Sequence, residues 1–166
     1  MAFFEPTISA LNDANVRYVV VGGVAVVLHG YARLTADLDL AVDLAPEEAK
    51  RAVDALVDLG FVPTAPVDPA SFADPAARRR WMDEKHMRVF ALSRPDNPLH
   101  EVDLFVENPI DFEELWARSE MVEVSRTVVR IASIEDLIEM KRAVGRPQDL
   151  EDVEALEAIR EERDGG

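Results

Sequence analysis

The sequence contains no cysteine, which excludes disulfides, thiol catalysis and metals held by sulfur. No stretch reaches the roughly 18 apolar residues that span a bilayer, and the start, Met1-Ala-Phe-Phe-Glu-Pro6, lacks the basic residues of a secretory signal. Basic residues are also scarce: 18 Lys and Arg stand against 33 Asp and Glu, for a formal charge of −15. Such a surface repels phosphate backbones. We therefore expect a cytoplasmic protein that neither enters a membrane nor broadly coats nucleic acid.

The order of predicted elements indicates one α/β (α+β) domain, a mixed central sheet flanked by helices. A length of 166 residues with 48% hydrophobic residues is enough for one ordinary core. Residues 18–21 and 37–43 are predicted strands, and the apolar spacing after Pro46 predicts a helix that ends at Gly60. We place the domain at residues 1–160, with its core at 16–106, a C-terminal helical part at 133–163, and a frayed tail at 161–166.

The second half of the chain carries further strand and helix signals. Residues 63–77 hold four prolines and predict a surface loop with at most one helical turn. Residues 86–92 and 100–106 predict two strands joined by a turn. Later segments predict two short strands, a helix that starts at the capping box of Ser133, and a last helix that starts at Pro147.

Two aspartates, Asp37 and Asp39, lie one position apart on a predicted strand shortly after the pair Gly22-Gly23. Alternation along a strand places both on one face, while Leu38 and its apolar neighbours face the core. Two carboxylates held in this way form half of a site for a hard cation such as Mg²⁺ bound to phosphates. Taken alone, such a pair is more often a solvated strand face, and we interpret Asp43 on that face as solvated.

A strand, a Gly-Gly turn into a helix and an acidic pair on the next strand resemble the nucleotidyltransferase superfamily, which shares its fold with polymerase beta. The resemblance is strongest to the AbiEii-like and minimal members, and it covers about residues 16–156. The motifs read, in order, Gly22-Gly23, Arg33-Leu34-Thr35-Ala36-Asp37-Leu38-Asp39, Glu101-Val102-Asp103, and a C-terminal helical element with Lys141, Arg146 and Asp149.

The resemblance implies an enzyme that moves a nucleoside monophosphate from an NTP to a hydroxyl by two-metal phosphoryl transfer with Mg²⁺. It implies Asp37, Asp39 and Asp103 as catalytic carboxylates and metal ligands, and Asp103 would hold the ion that activates the acceptor hydroxyl. Glu101 shares the face of Asp103 and is the rival third ligand. The implied nucleotide-binding residues are Gly22, Gly23, Arg33, Thr35, Lys141 and Arg146, with Asp149 orienting Lys141 or Arg146. Glycines at a helix start also let backbone N–H groups approach a triphosphate.

By analogy, the acceptor is a hydroxyl of an RNA such as tRNA, or of a protein, in a toxin–antitoxin or phage-defence setting with an antitoxin as partner. A catalytically inactive nucleotide-binding or protein-interaction module is an alternative. An antibiotic nucleotidyltransferase is another, although such enzymes usually carry an additional helical domain for which the chain leaves little room. The basic stretch 78–88 is either a solvated helix face or a guide for an anionic acceptor, with Trp81 available for stacking.

Overall fold

The computed structural model describes residues 4–166 of the chain. The strands are β1 (Tyr18–Val21), β2 (Asp37–Val42), β3 (Val62–Pro63), β4 (Val89–Arg94), β5 (Asn97–Phe105), β6 (Glu120–Val124) and β7 (Thr127–Ile131). The helices are α1 (Glu5–Asp13), α2 (Gly22–His29), α3 (Pro46–Asp58), α4 (Pro75–Lys85), α5 (Phe112–Arg118), α6 (Ile134–Val144) and α7 (Pro147–Gly165), with a 3₁₀ helix at Pro69–Ala73.

All seven strands belong to one sheet in the order β3-β4-β5-β2-β1-β7-β6. Strand β2 pairs antiparallel with β1 and parallel with β5, so the sheet is mixed. Its core is apolar, and Leu38, Leu40 and Leu104 are fully buried. The predicted fold class, a mixed sheet flanked by helices, is confirmed.

The parallel pairing of β2 with β5 sets the positions of the acidic side chains. Asp37 lies opposite Glu101 and Asp39 lies opposite Asp103, while Leu38 lies opposite Val102. Because side chains alternate along a strand, the four carboxylates share one face of the sheet. The leucine and valine between them fill the core on the other face.

The region between α3 and β4 is more ordered than the sequence predicted. The expected loop at 63–77 contains a 3₁₀ helix, and α4 starts at Pro75 after Asp74, whose side chain accepts a hydrogen bond from the backbone N–H of Ala76. An Asp before a Pro is a helix-start signal, which the density of prolines obscured. Strand β4 begins at Val89 instead of residue 86, because His86 adopts a left-handed conformation (φ 51°) that ends α4.

The basic stretch does not present Trp81 for stacking. Trp81 is buried, and its ring stacks on Phe90 with the ring centroids 5.3 Å apart. Arg78 is also buried and donates hydrogen bonds to the backbone carbonyls of Phe72 and Leu44. The alternative in which Trp81 is available to stack on an acceptor is therefore excluded, because this face of α4 covers the sheet and belongs to the core.

Helix α7 is longer than the sequence predicted. We expected residues 161–166 to be frayed, whereas the helix continues to Gly165. No proline or glycine lies between Pro147 and the last residue of the helix, Gly165. Near its end, Nη1 of Arg163 lies 3.4 Å from Oε1 of Glu120 in β6. Despite this length, α7 is highly charged, and no helix within residues 4–166 has the length and apolar character required to cross a membrane.

Replacing Trp81 with alanine is expected to destabilise the protein by about 3–5 kcal/mol, because it removes a large side chain from the stack with Phe90. The exposed neighbour Arg79 serves as the control, and Arg79→Ala should change stability by no more than about 0.5 kcal/mol. Urea denaturation followed by circular dichroism measures both changes. Equal stability of the Trp81→Ala variant and the wild type would contradict the core position of this ring.

Candidate functional site

Four carboxylates converge on the sheet face formed by β2 and β5. Asp37, Glu101 and Asp103 each offer one oxygen, and these oxygens lie within 4.8 Å of one another. Asp39 lies beside them, opposite Asp103 in the strand register. Asp103 Oδ1 is buried and finds no hydrogen-bond partner among residues 4–166. An all-oxygen set with an unsatisfied buried acceptor fits a hard divalent cation.

Burial and neighbouring charges raise the pKa values of two carboxylates of the cluster, Asp39 and Asp103. Burial raises the pKa of Asp39 to about 6, and the charge of Asp37 adds to this effect, while the charge of Lys141 opposes it. Burial also raises the pKa of Asp103, with further contributions from the charges of Asp39 and Glu101. Ionising these groups together at neutral pH is unfavourable unless a cation compensates the charge. The cluster is therefore suited to bind a cation.

The glycine turn lies against the acidic cluster and requires glycine at its first position. Gly22 has φ +66°, and a Cβ atom there would lie 2.0 Å from Asp39 Oδ2. A Cβ on Gly23 would lie 2.5 Å from Thr35 Oγ1 and 2.9 Å from Arg33 Nη2. The described side chains provide no hydrogen-bonding cap for the start of α2. Its first N–H groups are thus available to an anion beside the carboxylates.

A buried ionic network connects the C-terminal helices to the loop before β2. Asp152 is completely buried, and its Oδ2 lies 2.8 Å from Lys141 Nζ. The same Oδ2 accepts a hydrogen bond of 2.9 Å from Arg33 Nη2. Lys141 also lies 3.6 Å from Asp149 Oδ1, and Asp149 accepts a hydrogen bond of 2.7 Å from Arg146 Nε. The network places positive charge next to the acidic cluster.

The structure brings the predicted site residues to one end of the sheet, although their roles stay predictions. The two candidates for the third carboxylate, Asp103 and Glu101, both lie in the cluster. Asp152 was not among the site residues predicted from the sequence. The available signal was its i, i+3 spacing from Asp149, which places the two acids on the same helix face.

Asp43 was interpreted from the sequence as solvated, and this interpretation is wrong. Its Oδ2 lies 2.5 Å from Arg17 Nη1, and its Oδ1 accepts a hydrogen bond from the backbone N–H of Ala45. Asp43 follows the last residue of β2 and lies outside the acidic cluster. Its partner is 26 residues away in sequence, so local alternation could not indicate the pairing.

Comparisons with known proteins give a family and a fold. The model of a family described as "Nucleotidyltransferase of unknown function (DUF6036)" matches residues 6–162. This match confirms the expected superfamily, and it does not identify the AbiEii-like group. No curated protein sequence matches the chain at a significant level.

Solved structures with low sequence identity share the fold. The lincosamide antibiotic adenylyltransferase LnuA, bound to lincomycin, is 16% identical with a TM-score of 0.61, over 92% of this chain and 93% of LnuA. An antigenic nucleotidyltransferase-like protein from Paracoccidioides brasiliensis is 17% identical with a TM-score of 0.60, over 93% and 73% of the two chains. ANT(2″)-Ia, in complex with adenylyl-2″-tobramycin, is 15% identical with a TM-score of 0.56, over 92% and 87%.

We expect Mg²⁺ to stabilise the protein more at pH 8 than at pH 5. Folding raises the pKa of Asp39 from its ordinary value of 3.8 to about 6. Protonated Asp39 therefore contributes to stability fully below pH 3.8, and this contribution is lost as the pH rises through 6. Above that pH the ionised cluster destabilises the metal-free fold, and a bound cation offsets the repulsion. Thermal melting with and without Mg²⁺ at the two pH values measures the effect, and a larger stabilisation at pH 5 would contradict it.

Replacing Asp103 with asparagine removes one negative charge from the cluster and keeps a side chain of nearly the same shape, so it tests whether the carboxylates repel one another. The variant should be more stable than the wild type at pH 8 without metal, because it removes an ionisable group whose pKa is raised by burial and by the charges of Asp39 and Glu101. It should also lose most of the stabilisation by Mg²⁺. The exposed Glu107 supplies the control, and Glu107→Gln should leave both melting temperatures unchanged. Lower stability of the metal-free Asp103→Asn variant at pH 8 would argue against repulsion in the cluster.

Replacing Asp152 with asparagine is expected to lower stability by about 3–5 kcal/mol, because Lys141 and Arg33 lose the buried charge that they share. The adjacent residue Glu151 is exposed, so Glu151→Gln is a matched control with the same change in formal charge. Denaturant unfolding of both variants gives the free-energy difference. Similar stabilities for the two would show that the ionic network is unimportant for the fold.

Proposed function

Because the chain belongs to the nucleotidyltransferase family of unknown function DUF6036, we propose that it transfers a nucleoside monophosphate from an NTP to a hydroxyl in a Mg²⁺-dependent reaction. The protein is a nucleotidyltransferase enzyme, and the proposal concerns its metal, its site residues and its acceptor. One observation carries it: a cluster of carboxylates lies directly against a glycine turn at a helix start.

The nucleotide is proposed to bind with its triphosphate at the start of α2. The start of a helix offers backbone N–H groups to an anion, and the missing side chains of Gly22 and Gly23 let this backbone pack directly against Asp39 and Thr35. Thr35 Oγ1 and Arg33 Nη2 would lie 2.5 Å and 2.9 Å from a Cβ atom built on Gly23, and this closeness to the glycine turn supports the proposal that both residues contact the phosphates. Lys141, whose charge acts on Asp39, adds positive charge from α6. Arg146 on the more exposed side of the network is proposed to contact the nucleotide as well.

In the proposed reaction, the acceptor oxygen forms a bond to the α-phosphorus of the NTP. The bond from this phosphorus to the bridging oxygen breaks, and pyrophosphate leaves with the electron pair. Bound Mg²⁺ would neutralise charge on the phosphate oxygens. Asp37, Asp39, Glu101 and Asp103 would hold the metal, and the carboxylate of Asp103 would accept the hydroxyl proton. Asp149 and Asp152 position Lys141 and do not touch the reacting atoms.

The acceptor is the less defined half of the reaction. An RNA or protein acceptor, with an antitoxin as partner in a toxin–antitoxin or phage-defence setting, remains a prediction by analogy. Two observations weigh in favour of a small molecule as a second candidate. Trp81 lies in the core, so the basic stretch lacks its proposed stacking residue. The chain also covers 93% of a lincosamide adenylyltransferase, so the expected lack of room for a small-molecule acceptor has no support.

Replacement of Asp37 or Asp39 with asparagine is expected to lower the transfer rate at least about 100-fold, because each removes a charge from the proposed metal site. The matched control is Asp43→Asn, which changes the same residue type just beyond the same strand and outside the cluster. Transfer is measured with NTPs labelled at the α-phosphate, offered with Mg²⁺ to tRNA, to cell protein, or to lincomycin and tobramycin. Full transfer by the Asp37→Asn/Asp39→Asn double variant would overturn the proposal.

A further inference from the structure

A cavity of about 670 Å³ is lined in part by Phe105, two residues beyond Asp103 on β5, and has no role in the nucleotide site described above. Its lining is mainly apolar and rich in methionine: Met82 and Met87 from the end of α4 and beyond, Phe105 from β5, and Met140 and Val144 from α6. A volume between about 300 and 1,000 Å³ is typical of sites for small organic molecules. Methionine side chains adapt their shape to the ligand that they contact.

The cavity and the glycine turn lie on opposite sides of the carboxylates. Phe105 follows Asp103 by two residues on the same strand face, about 7 Å further along β5. Gly22 follows β1, which lies on the other side of β2 from β5 in the sheet. A hydroxyl that attacks a phosphorus in line approaches from the side opposite the leaving group. The cavity therefore occupies the acceptor side of the site.

The polar groups of the cavity do not favour a nucleic-acid backbone. Arg88 and Glu107 carry opposite charges at its lining, so they provide no net positive field for a chain of phosphates. Asn108 donates a hydrogen bond of 2.9 Å from Nδ2 to the carbonyl of Val42, which fixes its side chain. Its Oδ1 is buried and has no hydrogen-bond partner in the described part of the chain.

We propose that this cavity binds the acceptor, and that the acceptor is a small, largely apolar molecule with a free hydroxyl. This inference rests on the proposed function. The hydroxyl oxygen forms the new bond to the α-phosphorus, its proton leaves through the carboxylate cluster to water, and pyrophosphate departs. Methionine and phenylalanine side chains hold the apolar body of the acceptor. Lys141 and Val144 belong to the same helix, so α6 contacts the nucleotide and the acceptor at once.

The test fills the cavity without changing the acidic cluster. Ala143 is exposed and lines the cavity, so Ala143→Trp places a large side chain at its opening. Ala158 is exposed on α7 and does not line the cavity, so Ala158→Trp is the same substitution in a neutral place. Val144→Trp is a second filling variant, since Val144 is 62% exposed. Melting temperatures establish that all three variants fold.

The assay combines Mg²⁺ and NTPs labelled at the α-phosphate with one of three acceptor sources. These are the small molecules of a cell extract that pass an ultrafiltration membrane, total tRNA, and the protein fraction that the membrane retains. We expect label in a small conjugate. Both filling variants should raise the KM for the filtrate acceptor about tenfold or more, the scale of steric discrimination in apolar pockets, while Ala158→Trp should not. Stabilisation by Mg²⁺ and NTP should be the same in all variants.

Three results would overturn the acceptor assignment while leaving the proposed transferase activity intact. They are label only in tRNA or protein, an unchanged KM in both filling variants, and loss of the NTP-induced stabilisation in those variants, which would assign the cavity to the nucleobase. A different pattern would overturn the proposed function itself: no transfer to any source by the wild type and no stabilisation by Mg²⁺ with NTP.

Discussion

Repulsion between carboxylates is the constraint around which the rest of the site is arranged. The parallel pairing of β2 with β5 holds Asp37, Asp39, Glu101 and Asp103 on one face, where burial and repulsion by neighbouring charges oppose the ionisation of Asp39 and Asp103. The hydrophobic residues between them, which pack into the core, keep this unfavourable arrangement in place. Sites that bind substrates commonly retain such strain at the expense of stability. The acidic face thus contributes little to folding and is better understood as a binding surface.

Positive charge reaches this face through the C-terminal helices. Asp152 has no exposed surface, yet it holds both Lys141 from α6 and Arg33 from the loop before β2. A buried acid with two cationic partners is well compensated, whereas any one of the three alone would be costly to bury. The network therefore fixes the docking of α6 and α7 against the loop that also carries Thr35. The position of the predicted phosphate contacts depends on the packing of the last helices.

Local patterns were sufficient for the fold class and for the location of the acidic face. Period-two alternation placed Asp37 and Asp39 on one face, and β2 is indeed a strand with its leucines buried. Pairings between distant residues were beyond those patterns. Asp152 contacts Arg33 across 119 positions, and Trp81 stacks on a ring of a different element, so the chain near each gives no sign of its partner. The proline-rich segment was misjudged because its helix-start signals were outnumbered by residues typical of loops.

Helix α6 joins the two halves of the site in one rigid body. Lys141 lies close enough to the acidic cluster for its charge to act on Asp39, and Met140 and Val144 of the same helix line the cavity with Phe105. If the two ligands bind as proposed, any shift of this helix that favours one of them alters the affinity for the other by the same factor, because coupling between two binding equilibria is reciprocal. The short helix would then couple the binding of the two substrates as well as contribute to the place where each one binds.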